Sequence, residues 1–196
     1  MSVSAASAGQ SCKKVGVLAT SESGGKMTRL VCTKVGKKLM WVAKGTKSTS
    51  SCASGGVCAI GDIGPGGGIV FYDAGSPQSW GRYLEAAPKT WNGGTSDPRA
   101  SWGCFDTSIS GVSGTAIGTG AANTAAIVAG CFESGIAASL ADVSTFGGKS
   151  DWFLPSKDEL ELMFFNLGRK GVGGFVGNFY WSSSENSAYS AWSRDF

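Results

Sequence analysis

DWFLPSKDELEL, residues 151–162, decides how this chain is read. Trp152, Phe153 and Leu154 predict a short buried strand. Ser156 and Glu159 then carry the S-x-x-E spacing of a capping box, in which a hydroxyl and a carboxylate satisfy orphan amides at a helix start. Beyond them Leu160, Met163, Phe164 and Leu167 recur at helical spacing and form one apolar stripe. The pattern predicts a helix of about three turns ending at Gly168, with Arg169 and Lys170 just past it. Asp158, Glu159 and Glu161 oppose the positive end of the helix macrodipole, so capping accounts for them without catalysis.

Outward from this segment, the remaining elements are short. A glycine turn at 64–68 leads into a strand over 69–72, and a second strand near 83–86 pairs with it. Residues 89–113 are irregular, with Trp91, Asn92, Trp102 and Cys104 among small polar residues; long loops of this kind are functional or tied down. Thr119 is placed to cap a helix over 121–129, and 136–143 reads as another short helix. After a glycine-rich loop at 171–177 come strands over 179–184 and 188–193. The fold class is α+β, with two to three helices flanking an antiparallel sheet.

Five blocks in this order resemble one family: GPGGGIVFY at 64–72, LEAAP at 84–88, IGTGAANTAA at 117–126, the strand-turn-helix at 151–162, and YWSSSE at 180–185 followed by Ala191 and Trp192. The chain from about 59 to 196 looks like the Lcl-type C-terminal domain of bacterial collagen-like adhesins, which implies a C-type-lectin-like fold. The family pattern runs on past the Ala191 and Trp192 block into a further strand. The resemblance therefore implies a sheet completed by another chain, as in a homo-oligomer, or in some other way, since an open edge is a pairing hazard.

Ahead of this domain lies a different composition. Residues 1–50 hold nine Lys or Arg against the single acid Glu22, whereas the remainder holds eight against thirteen, within a net charge of +3. The organisation expected is a flexible N-terminus at 1–10, a small basic β module at 11–44, a Ser/Gly-rich linker at 45–57 and the lectin-like domain at 58–196. Strands in the module are expected at 14–18, 28–33 and 38–43. Lys13, Lys14, Lys34, Lys37 and Lys38 are the candidate contacts for a polyanion, either a glycan or an acidic surface polymer. Nucleic acid is not expected, because the module has one aromatic, Trp41, and no groove-reading or stacking module.

Six cysteines admit fifteen pairings. Proximity and domain separation favour Cys12 with Cys32, Cys52 with Cys58, and Cys104 with Cys131. Closing the first loop stabilises the small module by about 3 kcal/mol in the chain-entropy account. An oxidising compartment follows, and the protein is expected to be secreted or on the cell surface, with a virion as the alternative. No apolar run is long enough to span a membrane.

Complete absence of histidine removes Ser-His-Asp and Cys-His catalysis, and histidine-ligated iron or zinc as well. Formylglycine-generating relatives of the lectin-like fold use late reactive cysteines, and none follows Cys131 here. Neither 64–68 nor 118–123 completes a phosphate-binding motif, so both read as structural turns. No metal and no cofactor is expected: calcium through Asp62, Asp73 and Asp106 is the lesser reading, because no EF-hand-like spacing is present. The chain is therefore expected to be no enzyme but an adhesin-like binder of glycans, acidic polymers or host-surface proteins. Its candidate contacts are Trp91, Asn92 and Trp102 in the long loop, and Ser182, Ser184, Glu185, Asn186, Tyr189 and Arg194 in the last strands, where rigid aromatics alternate with adaptable polar groups. Trp181 and Trp192 are expected in the core. Two alternatives stand beside this one: a protein-recognition module of the variable-receptor or phage-fibre type using the C-terminal strands, and a structural wall or particle subunit.

Overall fold

The structure, a computed structural model, describes residues 10–23, 26–35, 37–43, 52–53 and 56–196. The chain divides into two compact units, Met1–Thr49 and Ser50–Phe196. Except for Gln10, the segment expected to be flexible lies outside the described residues, as does most of the expected linker. Cys52 is a described part of that linker; it is fully buried with Cys58 and Val70, so its neighbourhood belongs to the second unit.

In the first unit an antiparallel sheet runs β1 (Leu18–Ser23), β2 (Lys26–Val35) and β3 (Lys38–Ala43), in that order. The strand expected at 14–18 does not form, because Gly16 takes a positive φ of 84° and turns the chain. Instead the Trp41 amide bonds Gln10 O, the Cys12 amide bonds Leu39 O and the Cys32 amide bonds Val17 O, so residues 10–17 cross from one side of the sheet to the other. The Cys12–Cys32 disulfide fastens this crossing over Leu30 and Cys32, both fully buried.

The second unit is α+β. Hairpin β4 (Ile69–Gln78) and β5 (Gly81–Ala86) precedes helices α1 (Gly120–Gly130), α2 (Ala137–Asp142) and α3 (Lys157–Asn166), then hairpin β6 (Phe179–Ser187) and β7 (Ser190–Asp195). One sheet was expected; two separate two-stranded ribbons form, joined by α3, which packs against β4, β6 and β7. Leu160, Met163 and Leu167 of the α3 stripe are buried with Phe71, Leu84 and Ala86. Phe164 stays at the edge of the stripe, its ring 5.4 Å from that of Phe196. A second core gathers Ile109, Val112, Ile127 and Ile136 around the Cys104–Cys131 disulfide. All three disulfides join the cysteines that sequence proximity pairs.

Residues 152–154 form no ladder, contrary to the strand expected there. The Leu154 amide donates to Thr124 Oγ1 at 3.0 Å, and the next residue, Pro155, has no amide to offer and only accepts, from the Ser183 amide at 2.7 Å. The capping box does form. The Glu159 amide donates to Ser156 Oγ, and the Glu159 carboxylate accepts from the Ser156 amide at 2.7 Å. Thr119 does sit at the start of α1, but its hydroxyl donates to Ala116 O rather than capping the helix.

Candidate binding groove

The irregular chain after β5 is pinned by a single carboxylate. Trp91 Nε1 donates to Asp97 Oδ1 at 3.2 Å, and the Tyr180 hydroxyl of β6 donates to Asp97 Oδ2 at 3.1 Å while accepting from the Val176 amide. Burial pushes the Tyr180 pKa up, and the Asp97 charge pushes the same way, so the phenol keeps the proton it donates. Two further indoles close the seam between loop and strand: Trp181 Nε1 donates to Ala100 O at 3.1 Å, and Trp102 Nε1 to Ser182 O at 2.8 Å.

Beneath this loop lie two adjoining cavities of about 420 and 350 Å³, which share Trp91, Asp97, Leu154, Pro155, Met163 and Tyr180. Lys89, Arg99 and Trp181 line the first alone; Tyr83, Glu85, Lys149, Asp151 and Trp152 line the second alone. Together they form one groove with aromatic walls and opposite charge at its two ends. Trp152 is fixed by donating to Phe146 O at 2.9 Å, with the Phe146 ring 5.6 Å away.

Glu85 organises the acidic end. Its carboxylate accepts from the Gly66 amide at 3.1 Å and the Gly68 amide at 2.9 Å. A Cβ at Gly64 would collide with that carboxylate and one at Gly68 would press on the Ala86 carbonyl, while Gly67 takes a positive φ of 82°, which is why the 64–68 stretch favours glycine. The stretch is thus a structural turn, as expected, and its amides already serve an internal anion. Burial raises the Glu85 pKa, and so does the Asp151 charge; the two glycine amides and Lys149 oppose them.

The last strands depart most from expectation. Ser182 and Ser184 are not displayed but fully buried. The register of β6 against β7 shifts between Trp181 and Glu185, and there β6 turns to other partners. The Ser183 amide bonds Pro155 O and the Glu185 amide bonds Val112 O, while Ser184 Oγ donates to Gly114 O at 2.7 Å and accepts from the Lys157 amide at 2.9 Å. Small hydroxyl side chains let these backbones approach and satisfy the polar groups enclosed. Arg194 is also engaged internally, stacked 4.0 Å above the Phe164 ring and paired with Glu161 at 3.4 Å. Conversely Trp192, expected in the core, is 40 % exposed on the outer ribbon with Lys157 Nζ 4.8 Å from its ring.

Trp91 lines both cavities, and Asn92 lines a neighbouring recess with Trp91 and Phe146. Trp102 packs against the second core. Glu185, Asn186 and Tyr189 gather at the β6–β7 turn, outside the groove, where Glu185 accepts from Ser108 Oγ at 3.3 Å and the Tyr189 ring meets Phe105 edge-on at 5.6 Å. Sequence reasoning missed Asp97, Tyr180, Glu85, Asp151 and Trp152 as groove residues. Only the tryptophan-rich irregular loop hinted at the place, since the rest is assembled from distant segments. Among the described residues, three metal-capable side chains converge at Cys104, Cys131 and Glu133, but the two sulfurs are bonded to each other.

Comparison of the chain with known family models, with curated proteins and with solved structures finds no match.

Proposed function

We propose that this chain is a non-catalytic, adhesin-like binding protein that holds saccharide in the groove beneath residues 88–100, on the C-type-lectin-like plan of the family it resembles. The observation that carries this reading is the Asp97 carboxylate locking the Trp91 and Tyr180 side chains as walls of one groove. Fixed aromatic faces suit the apolar faces of sugar rings, and convergent polar groups set orientation. Three disulfides favour an oxidising, extracytoplasmic setting, and among the described residues no helix is long and apolar enough to cross a membrane. Exposed Lys13, Lys14, Lys34, Lys37 and Lys38 of the first unit add attraction to acidic surface polymers.

A glycan array probed with the intact chain tests the reading. Retained glycans are expected to lose at least about ten-fold in affinity on Trp91→Ala, roughly 1.4 kcal/mol, and to be unaffected by Asn186→Ala at the distant turn. An array that retains nothing, or retention indifferent to Trp91, overturns it.

One observation favours protein recognition as the second reading. Phe105 and Tyr189 are 75 % and 63 % exposed and packed together, a small rigid aromatic pair of the sort that anchors interfaces.

A further inference from the structure

The second cavity is the acidic one of the two. Three carboxylates line it, Glu85, Asp97 and Asp151, against one ammonium, Lys149. Its walls include the rings of Tyr83, Trp91, Trp152 and Tyr180. An aromatic box with surplus negative charge attracts a compact organic cation through ring quadrupoles and direct charge together. Glu85 accepts two backbone amides yet still lines the cavity, together with Pro65 and Gly66 of the turn that supplies those amides.

The adjoining cavity is of the other sign, with Lys89 and Arg99 against the shared Asp97. A neutral sugar gains nothing from the acidic end, whereas a sugar unit carrying an ammonium there does. We infer that the Glu85 and Asp151 end of the groove takes the protonated amine of a de-N-acetylated hexosamine. The inference rests on the saccharide reading above and narrows it to a ligand class. Acylating the nitrogen removes its charge and adds bulk, so an N-acetylated residue is disfavoured twice.

Calorimetric titration of the intact chain at about pH 6 separates the possibilities, using glucosamine hexamer, its fully N-acetylated counterpart, and tetramethylammonium as a cation that is not a sugar. Glucosamine hexamer is expected to bind at least ten-fold more tightly than the acetylated form. Glu85→Gln and Asp151→Asn are each expected to reduce that binding at least five-fold, and Asp195→Asn, a surface acid outside the groove, to leave it unchanged. Glu85→Gln keeps one carbonyl oxygen for the glycine amides, and exposed Asp151 gives a second variant with less bearing on folding. Equal binding of both hexamers overturns the inference while leaving the saccharide reading intact. Binding of tetramethylammonium alone, lost in Glu85→Gln, upholds the cation site and removes the saccharide. No binding by any of the three overturns the inference, as does equal loss in Asp195→Asn, which would mean diffuse attraction to an acidic surface.

Discussion

Glu159 shows how much one side chain does here. It is fully buried and completes the capping box of α3, and its other oxygen accepts from the Gly118 amide at 2.7 Å, beside the start of α1. One carboxylate thereby serves two helix starts, each of which favours negative charge. Glu159→Ala strands two amides in the interior and is expected to cost about 3 kcal/mol, at 1–3 kcal/mol for each unsatisfied group. Urea unfolding measures it, and a loss below about 1 kcal/mol would show that water takes over both bonds. The first half of this role is legible in S-x-x-E spacing; the second is not, because Gly118 is 41 residues away. Glu85 titrates in a way that can be read directly. Its folded pKa is raised, chiefly by burial, so the folded state holds the proton more tightly than the unfolded state does. Its contribution to stability is full below the ordinary glutamate value of about 4.5 and is lost as pH rises through the folded value. Unfolding free energies of wild type and Glu85→Gln, measured across that window, are expected to differ in slope, with the wild type losing more stability as pH rises. Parallel curves would mean that the carboxyl is as well solvated folded as unfolded.

At the scale of elements, periodicity was a better guide than pairing. The apolar stripe of α3 and its capping box are local properties, fixed within a few residues, and both appear where the spacing puts them. The arrangement of strands is a long-range property, and nothing in YWSSSE reveals that its serines would bond Gly114 and Pro155 rather than face solvent. The loop after Trp102 is the element most dependent on support. Cys104 and Asp106 have φ of 48° and 64°, a region that side chains with a Cβ rarely adopt. Holding them there are the Cys104–Cys131 disulfide, the Cys104 amide donating to Glu133 Oε1 at 2.8 Å, and the Asp106 amide donating to Ala188 O at 2.9 Å. Replacing both cysteines by serine removes a cross-link spanning 27 residues, expected to cost about 3.5 kcal/mol. Released backbone strain returns part of that. Hydrogen exchange should therefore show amides 104–112 opening far more readily than those of α3. Uniform loss of protection across the second unit would instead make this disulfide a support of the whole core.

For the molecule as a whole, charge divides along the chain, and the first unit carries the basic share. Its five candidate lysines are all exposed, yet they do not form one surface. Lys34 pairs across the sheet with Leu39, so Lys34 shares a face with Leu39 and Cys32, and Lys38 points to the opposite face. Lys13 and Lys14 follow Cys12, which is bonded to Cys32 across the first of these faces. That bond ties the segment carrying Lys13 and Lys14 to the Lys34 face, while Lys38 stands across the sheet. A stiff acidic polymer can lie against one face only, and each contact releases condensed counterions. Lys34→Glu is accordingly expected to weaken binding to a heparin-type polymer about ten-fold at low salt, and Lys38→Glu less than about three-fold, with both differences shrinking as salt screens the charges. Affinity chromatography with a salt gradient, run on the full chain and both variants, reads this as elution position. Equal shifts for the two variants would mean that the unit attracts polyanions as a diffuse cloud, with no face of its own.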